Sequence, residues 1–230
     1  PIREKEGLRQ LKGFLSDPFD TNLTIEENGL KLAVDVAEGQ KTGHFLDQRL
    51  NHAALANIVK GKHVLDCFTH TGGFALHAAI YGASKVEGLD ISGEAIKLAT
   101  SNAQLNKLEA VCDFRTANVF DFLTDASRTN KLWDVIVLDP PAFVKSRSAL
   151  ESATRGYKEI NLRAMQLLNP GGCLITSSCS HHVDEEAFET MLQAAAADAR
   201  REVQIIEKRG AGRDHPVLLA LRETRYLKCY

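Results

Sequence analysis

Residues 63–80 read HVLDCFTHTGGFALHAAI, and this stretch decides the fold. A strand-sized run, His63 to Cys67, passes through a turn ending in Gly72-Gly73 into a helical pattern over 73–81. A strand that feeds a helix through a glycine turn opens a βαβ unit. The rhythm continues downstream. Further strands are predicted at 85–90, 111–116, 133–138, 172–177, 203–207 and 225–230, with helices at 93–106, 118–124, 149–168 and 184–199. Alternation of this kind predicts right-handed crossovers and a doubly wound, seven-stranded, mostly parallel sheet with helices on both faces. No strong helical pattern separates the last two strands, so the final one is expected to insert antiparallel. Asn169-Pro170-Gly171-Gly172 reads as a stop between helix and strand.

Upstream, the segments 23–27 and 30–36 flank Asn28-Gly29, a hairpin signal because both residues tolerate positive φ. Residues 1–40 are read as a small β-hairpin extension and 41–230 as the main domain, with a helix expected over 47–59. Of the 230 residues, 44% are hydrophobic and 25% charged, the balance of a soluble globular chain. The apolar runs are strand-sized, and the charged start resembles no signal peptide, so a cytoplasmic protein without membrane contact is expected. Five cysteines are scattered without zinc spacing, which disfavours a disulfide framework or a metal site. A net charge of −2 gives no basic footprint for nucleic acid, so any such role needs local clusters or a further domain.

In an open parallel sheet, ligands lie beyond the carboxyl ends of the strands. After the first strand of the rhythm, Gly72 and Gly73 allow close backbone approach and expose helix N–H groups. Asp66 beside them suits an amino or sulfonium group better than a pyrophosphate, although an ordinary tight turn would use the same residues. The nicotinamide fingerprint GxGxxG is absent. Asp90, followed by Ile91-Ser92, stands where an acidic residue holds ribose hydroxyls; a helix cap is the alternative, which Ser92 can serve as well. Asn118 can cap a helix, contact an adenine edge, or do both. Asp139-Pro140-Pro141 is the sharpest motif: the prolines stiffen the backbone, and their carbonyls can receive an amino group next to a carboxylate.

Cys179 follows the fifth strand on the same rim as Asp139, where a thiolate could act as a nucleophile, although a lone cysteine is more often inert packing. Metal binding by His181-His182 is not expected. Lys145, Arg147, Arg155 and Lys158, with Tyr157 among them, could hold phosphates and stack a base, or form a solvated helix face.

Taken in order, Asp66…Gly72-Gly73, Asp90, Asn118 and Asp139-Pro140-Pro141 resemble class I S-adenosylmethionine methyltransferases. The segments KTGHFLDQR (41–49), CFTHTGGFA (67–75), LDPPAFVKS (138–146), RGYKEIN (155–161), TSSCSHH (176–182) and DHPV (214–217) resemble the bacterial large-subunit ribosomal RNA cytosine-C5 methyltransferase I family. The resemblance implies S-adenosyl-L-methionine held by Gln48, Arg49, Asp66, Phe68, Thr71, Gly72, Gly73, Asp90, Ile91, Ser92, Asn118, Val119, Asp139 and Pro140. It implies 23S rRNA as substrate, free or in a ribosomal particle, met by Pro140, Pro141, Lys145, Arg155, Tyr157 and Lys158. Cys179 would attack C6 of a flipped cytosine while Asp139 stabilises charge at N3. A homodimer is compatible with this picture. Family members usually carry an N-terminal PUA domain, for which this chain has no room, and residues 1–40 would be the remnant of a linker domain. The alternatives are a purine N-methyltransferase, which needs no cysteine, and a cofactor-fold RNA-binding protein without activity.

Overall fold

The structure, a computed structural model, describes residues 2–9, 13–39, 43–143 and 150–230. After a single helical turn (α1, Ile2–Lys5) come two strands, β1 (Asn22–Glu27) and β2 (Leu30–Asp35), which pair antiparallel. Their turn places Asn28 at φ +50° and Gly29 at φ +88°, the doubly left-handed geometry foreseen from the dipeptide. The main unit follows as α2 (Arg49–Ala54), β3 (His63–Cys67), α3 (Gly73–Ile80), β4 (Lys85–Asp90), α4 (Gly93–Leu105), β5 (Cys112–Thr116), α5 (Val119–Arg128), β6 (Trp133–Leu138), α6 (Leu150–Gln166), β7 (Leu168–Ser178), α7 (Glu185–Ala199) and β8 (Lys228–Cys229). Among the described residues no helix is long and apolar enough to cross a membrane.

The strands order as β5-β4-β3-β6-β7-β8, parallel except for β8, which enters antiparallel to β7 as expected. Helices cover both faces. Val64, Val86, Val135 and Val137 pack with Phe74, Ala75 and Ala78 of α3, while Leu65, Leu89, Ile136 and Leu138 pack with Leu123 of α5 and Ile160 of α6. Strands buried on two sides must be apolar throughout, which is why β6 reads WDVIVL.

Two expectations need correction. The sheet has six strands among the described residues, not seven, because 203–207 forms none. Its ladder reaches only to Arg209, which bridges Cys229, and Val203, Ile205 and Ile206 lie at least half exposed. Residues 169–172 also do not separate α6 from the next strand but lie within it. β7 begins at Leu168 opposite Trp133, and a bulge between Trp133 and Val135 absorbs the Asn-Pro-Gly-Gly segment.

The hairpin is latched to the main unit by buried polar groups. Leu30 and Leu32 pack against Leu76 and Ala103, and the backbone N–H of Ala33 donates to Asn102 Oδ1 (2.8 Å). Glu27, 3% exposed, accepts from His44 Nε2 (2.9 Å) and His52 Nδ1 (2.7 Å). His77 stacks on His52 and donates from Nδ1 to the Gly73 carbonyl (2.7 Å), so its Nε2 accepts from Asn28 Nδ2 (3.2 Å). Burial alone would raise the Glu27 carboxyl, but the hydrogen bonds from His44 and His52 outweigh it and hold it well below the usual carboxylate range. Burial, aided by His52, pulls His77 down to about 4.

Both shifts give one sign. A depressed carboxyl stabilises the fold above its ordinary range, and a depressed imidazole resists charging below pH 6.5, so acidification weakens the latch twice. Thermal melts should show stability falling as pH drops from about 6.5 towards 4, as His77 becomes charged, and falling further below about 4.5 as Glu27 is protonated. Glu27→Gln should cost about 2–3 kcal/mol at neutral pH and flatten the part of the profile below about pH 4.5, where the Glu27 carboxyl takes up its proton. An unchanged profile in the variant would exclude the latch as its source.

Candidate active site

The chain runs from β3 outward on one side of the sheet and from β6 outward on the other, leaving a crevice beyond their carboxyl ends. A cavity of about 950 Å³ fills it. Phe68, Thr69, His70, Thr71 and Gly73 line it after β3; Asp90, Ile91 and Ser92 after β4; Asn118 and Val119 at the start of α5; and Asp139, Pro140 and Pro141 after β6. Cys179 after β7 closes the wall, together with His44, Phe45, Asp47, Gln48, Tyr226 and Leu227.

The turn after β3 is strained. Phe68 and His70 have φ of +68° and +49°, and Gly72 has +94°; a left-handed non-glycine residue costs on the order of 1–3 kcal/mol. Hydrogen bonds hold it. Asp66 Oδ2 accepts from Thr69 Oγ1 (2.7 Å) and from the Ala75 N–H (3.0 Å), and Asp90 Oδ2 accepts from the His70 N–H (2.9 Å). The second Asp90 oxygen accepts from the Ser92 N–H (2.9 Å), and Ser92 caps α4. Asn118 caps α5 through the Phe120 N–H (2.9 Å) while lining the cavity.

Asp66 and Gly72 do not line the cavity; they brace it from beneath. Asp66 is fully buried, its Oδ1 has no partner, and burial pushes its carboxyl up to about 7, with Asp139 and Asp90 adding to the rise. Gly73 is required for a reason the sequence did not suggest. A Cβ there would lie 2.9 Å from the His52 ring, so the glycine admits the latch histidine. Gln48, 3% exposed, donates to Asp139 Oδ1 (2.9 Å) and accepts from Asn51 Nδ2 (2.6 Å), which fixes the carboxylate after β6. Cys179 Sγ lies 4.0 Å from the Pro140 carbonyl oxygen.

Several expected contacts are not brought to the cavity. Arg49 does not line it and instead faces Asp214 at 3.4 Å. Arg155 pairs with Glu151 (2.9 Å) and Lys158 with Asp198 (2.7 Å), the ion pairs of helix surfaces. Tyr157 is no stacking platform. It is 1% exposed, packed on Phe143 (4.6 Å between centroids) in the α6–α7 core. Lys145 and Arg147 lie outside the described residues. Among the cavity residues, His44, Phe45, Asp47, Thr69, His70, Tyr226 and Leu227 were not singled out from sequence.

Asp139 and Asp90 stand close enough to Asp66 to raise its affinity for a proton, and this acidic grouping, without a phosphate-binding glycine fingerprint, suits a ligand with a cationic end rather than a pyrophosphate. The unpartnered Asp66 oxygen has the same preference. Fold and cavity together define a class I α/β enzyme for a small cationic cofactor. The chain belongs to the S-adenosylmethionine-dependent methyltransferase family, whose model matches residues 10–216.

Among curated relatives it is 47% identical over 228 residues to the ribosomal RNA large subunit methyltransferase I of Shewanella denitrificans, covering 98% of this chain and 57% of that protein. The protein of the same name from Photobacterium profundum is 46% identical over 234 residues, with 100% and 59% covered. The chain thus spans somewhat under three fifths of the length of these relatives. Among solved structures, a candidate S-adenosylmethionine-dependent methyltransferase from Streptococcus mutans superposes with a TM-score of 0.84 at 25% identity, over 94% of this chain and 56% of that one. A candidate methyltransferase complexed with SAH gives 0.82 at 24%, over 95% and 57%.

Gly73→Ala should lower stability by about 1–3 kcal/mol, because the His52 ring and the start of α3 must move apart. Chemical denaturation of the variant measures this; no loss would mean that the ring yields freely.

Proposed function

We propose that the chain is the catalytic unit of an RNA methyltransferase that forms 5-methylcytidine in large-subunit ribosomal RNA in the cytoplasm. The observation that carries the reading is one cavity lined by both Cys179 and Asp139, with the sulfur 4.0 Å from the carbonyl of Pro140. The names of relatives at 46–47% identity support the class of RNA. S-adenosylmethionine, when bound, supplies an electrophilic methyl group. Asp90, with its oxygens held by backbone N–H groups, is assigned to the ribose hydroxyls, and Asn118 to the adenine. Asp66, beneath the glycine turn with one oxygen unpartnered, is assigned to setting the acidic character of the amino-acid end.

A cytosine carbon is a poor nucleophile. The Cys179 thiolate adds to C6, forming an S–C6 bond and pushing electron density onto C5, which can then accept the methyl group. Asp139, oriented by Gln48, takes part as its neutral acid and gives its proton to N3 as the thiolate adds, recovering it when the cysteine leaves, and the Pro140 carbonyl accepts from the exocyclic amine. Loss of the C5 proton to a base then expels the thiolate. Arg155 and Lys158 are already paired, so the grip on RNA is assigned to parts of the surface other than this helix face.

Cys179→Ser should lower methyl transfer to large-subunit rRNA at least a thousandfold while leaving S-adenosylmethionine affinity within about threefold. Mass spectrometry of the product nucleosides and calorimetry read the two effects. A fully active Cys179→Ser would instead point to purine N-methylation. Asn118→Asp keeps an acceptor for the Phe120 N–H but loses the amide donor, so melting should stay unchanged while cofactor affinity falls about tenfold. Equal affinity would reduce Asn118 to a helix cap.

A further inference from the structure

The last strand carries a buried cation. Lys228 is 3% exposed, and among the described residues no carboxylate forms an ion pair with it. Its ammonium donates to the Ser180 carbonyl (2.6 Å) and the Tyr226 carbonyl (2.7 Å). An ammonium removed from water is costly unless charge or strong hydrogen bonds offset the loss. The position of this one is informative. Lys228 is the cross-strand partner of Ser178, the residue before Cys179, and it binds the carbonyl of the residue after. It therefore grips the backbone on both sides of the cysteine.

Burial lowers Lys228 to about 8, while Cys179, Asp184 and Glu185 favour its charged form, so the ammonium predominates at neutral pH. Other titratable groups also face the cysteine. Asp139 lines the same cavity after the adjacent strand β6, Tyr157 on α6 and Tyr226 beside β8 both sense its charge, and His181-His182 follow it in the chain. The Asp139 carboxylate opposes ionisation of a neighbouring thiol, and both phenols are pushed up by burial and remain neutral. The buried ammonium of Lys228 acts in the opposite direction.

We propose that Lys228 is the positioning residue for Cys179, fixing the backbone around the sulfur and supplying the positive charge that holds it as a thiolate. The inference rests on Cys179 being the nucleophile. The proton of the thiol leaves to solvent before attack, and Lys228 keeps its own throughout, so no further reactant is required.

The test measures thiolate formation directly. In the purified protein, alkylation of Cys179 by iodoacetamide is followed from pH 5.5 to 10 by peptide mass spectrometry, beside melting temperature and S-adenosylmethionine affinity. The wild-type midpoint should lie below the ordinary thiol value of about 8.5. Lys228→Met should raise it by about one unit and slow alkylation at pH 7 about tenfold, whereas Lys228→Arg should stay within about threefold of wild type. A Lys228→Met protein with intact cofactor affinity and an unmoved midpoint overturns the proposal. So does a wild-type midpoint at or above the ordinary thiol value, a result that depends on no variant folding. The underlying reading fails separately: a fully active Cys179→Ser removes the nucleophile whatever the midpoints, while an inactive Cys179→Ser with an unmoved midpoint removes only the role of Lys228.

Discussion

The site depends on the carboxylates that hold the turn after β3. Between Phe68 and Gly72 the backbone takes three left-handed residues, two of them with side chains, and such a path does not persist without external constraint. Asp66 fixes it from beneath by joining Thr69 to the first turn of α3, and Asp90 fixes it from the neighbouring strand through His70. The turn is thus welded to both β3 and β4, and α3 starts at a defined angle. An acidic floor follows from the same construction: residues recruited to hold the backbone also set the sign of charge that the cavity tolerates. Structural and ligand-selecting roles are therefore not alternatives at these positions.

The opposite wall is built by other means. Asp139 is oriented by Gln48, which Asn51 holds in turn, and Asn51 also donates to the Gly210 carbonyl while accepting from Arg209. Tyr226 donates to Asp47. Two segments remote in sequence, 44–51 and 209–228, thereby close the cavity from the side of β7. The hairpin joins this network indirectly, since Glu27 anchors His44, which lines the cavity, and His52, which packs on Gly73. An element that looks peripheral in the sequence is an outer support of the pocket.

What was legible in the sequence follows from range. The hairpin turn, the strand tips and the caps at Ser92 and Asn118 are written in neighbouring residues, and the structure has them where local rules put them. Tyr157 and the basic residues near it misled because a helix face cannot be assigned to solvent or core without knowing that α7 packs there. Residues 203–207 misled because alternation shows that a strand is possible, whereas a ladder needs a partner. Gly73 was legible as a necessity but not in its cause, because His52 lies 21 positions away.

The same limit explains why the surroundings of the cysteine were hard to see. Nothing within a few residues of Cys179 is a permanent cation, so local sequence offers only hydroxyls and two histidines. The charge arrives by topology: β8 runs back antiparallel along β7, and its register sets Lys228 against Ser178. In a purely parallel sheet the neighbour of β7 would present its own carboxyl end at the cavity, joined to the next element by a loop. The antiparallel reversal instead brings the start of the last strand to the rim, with Tyr226 and Leu227 on the wall and a lysine buried behind them. Reversing one strand is therefore what allows a cation to be built beside a cysteine in an otherwise acidic cavity.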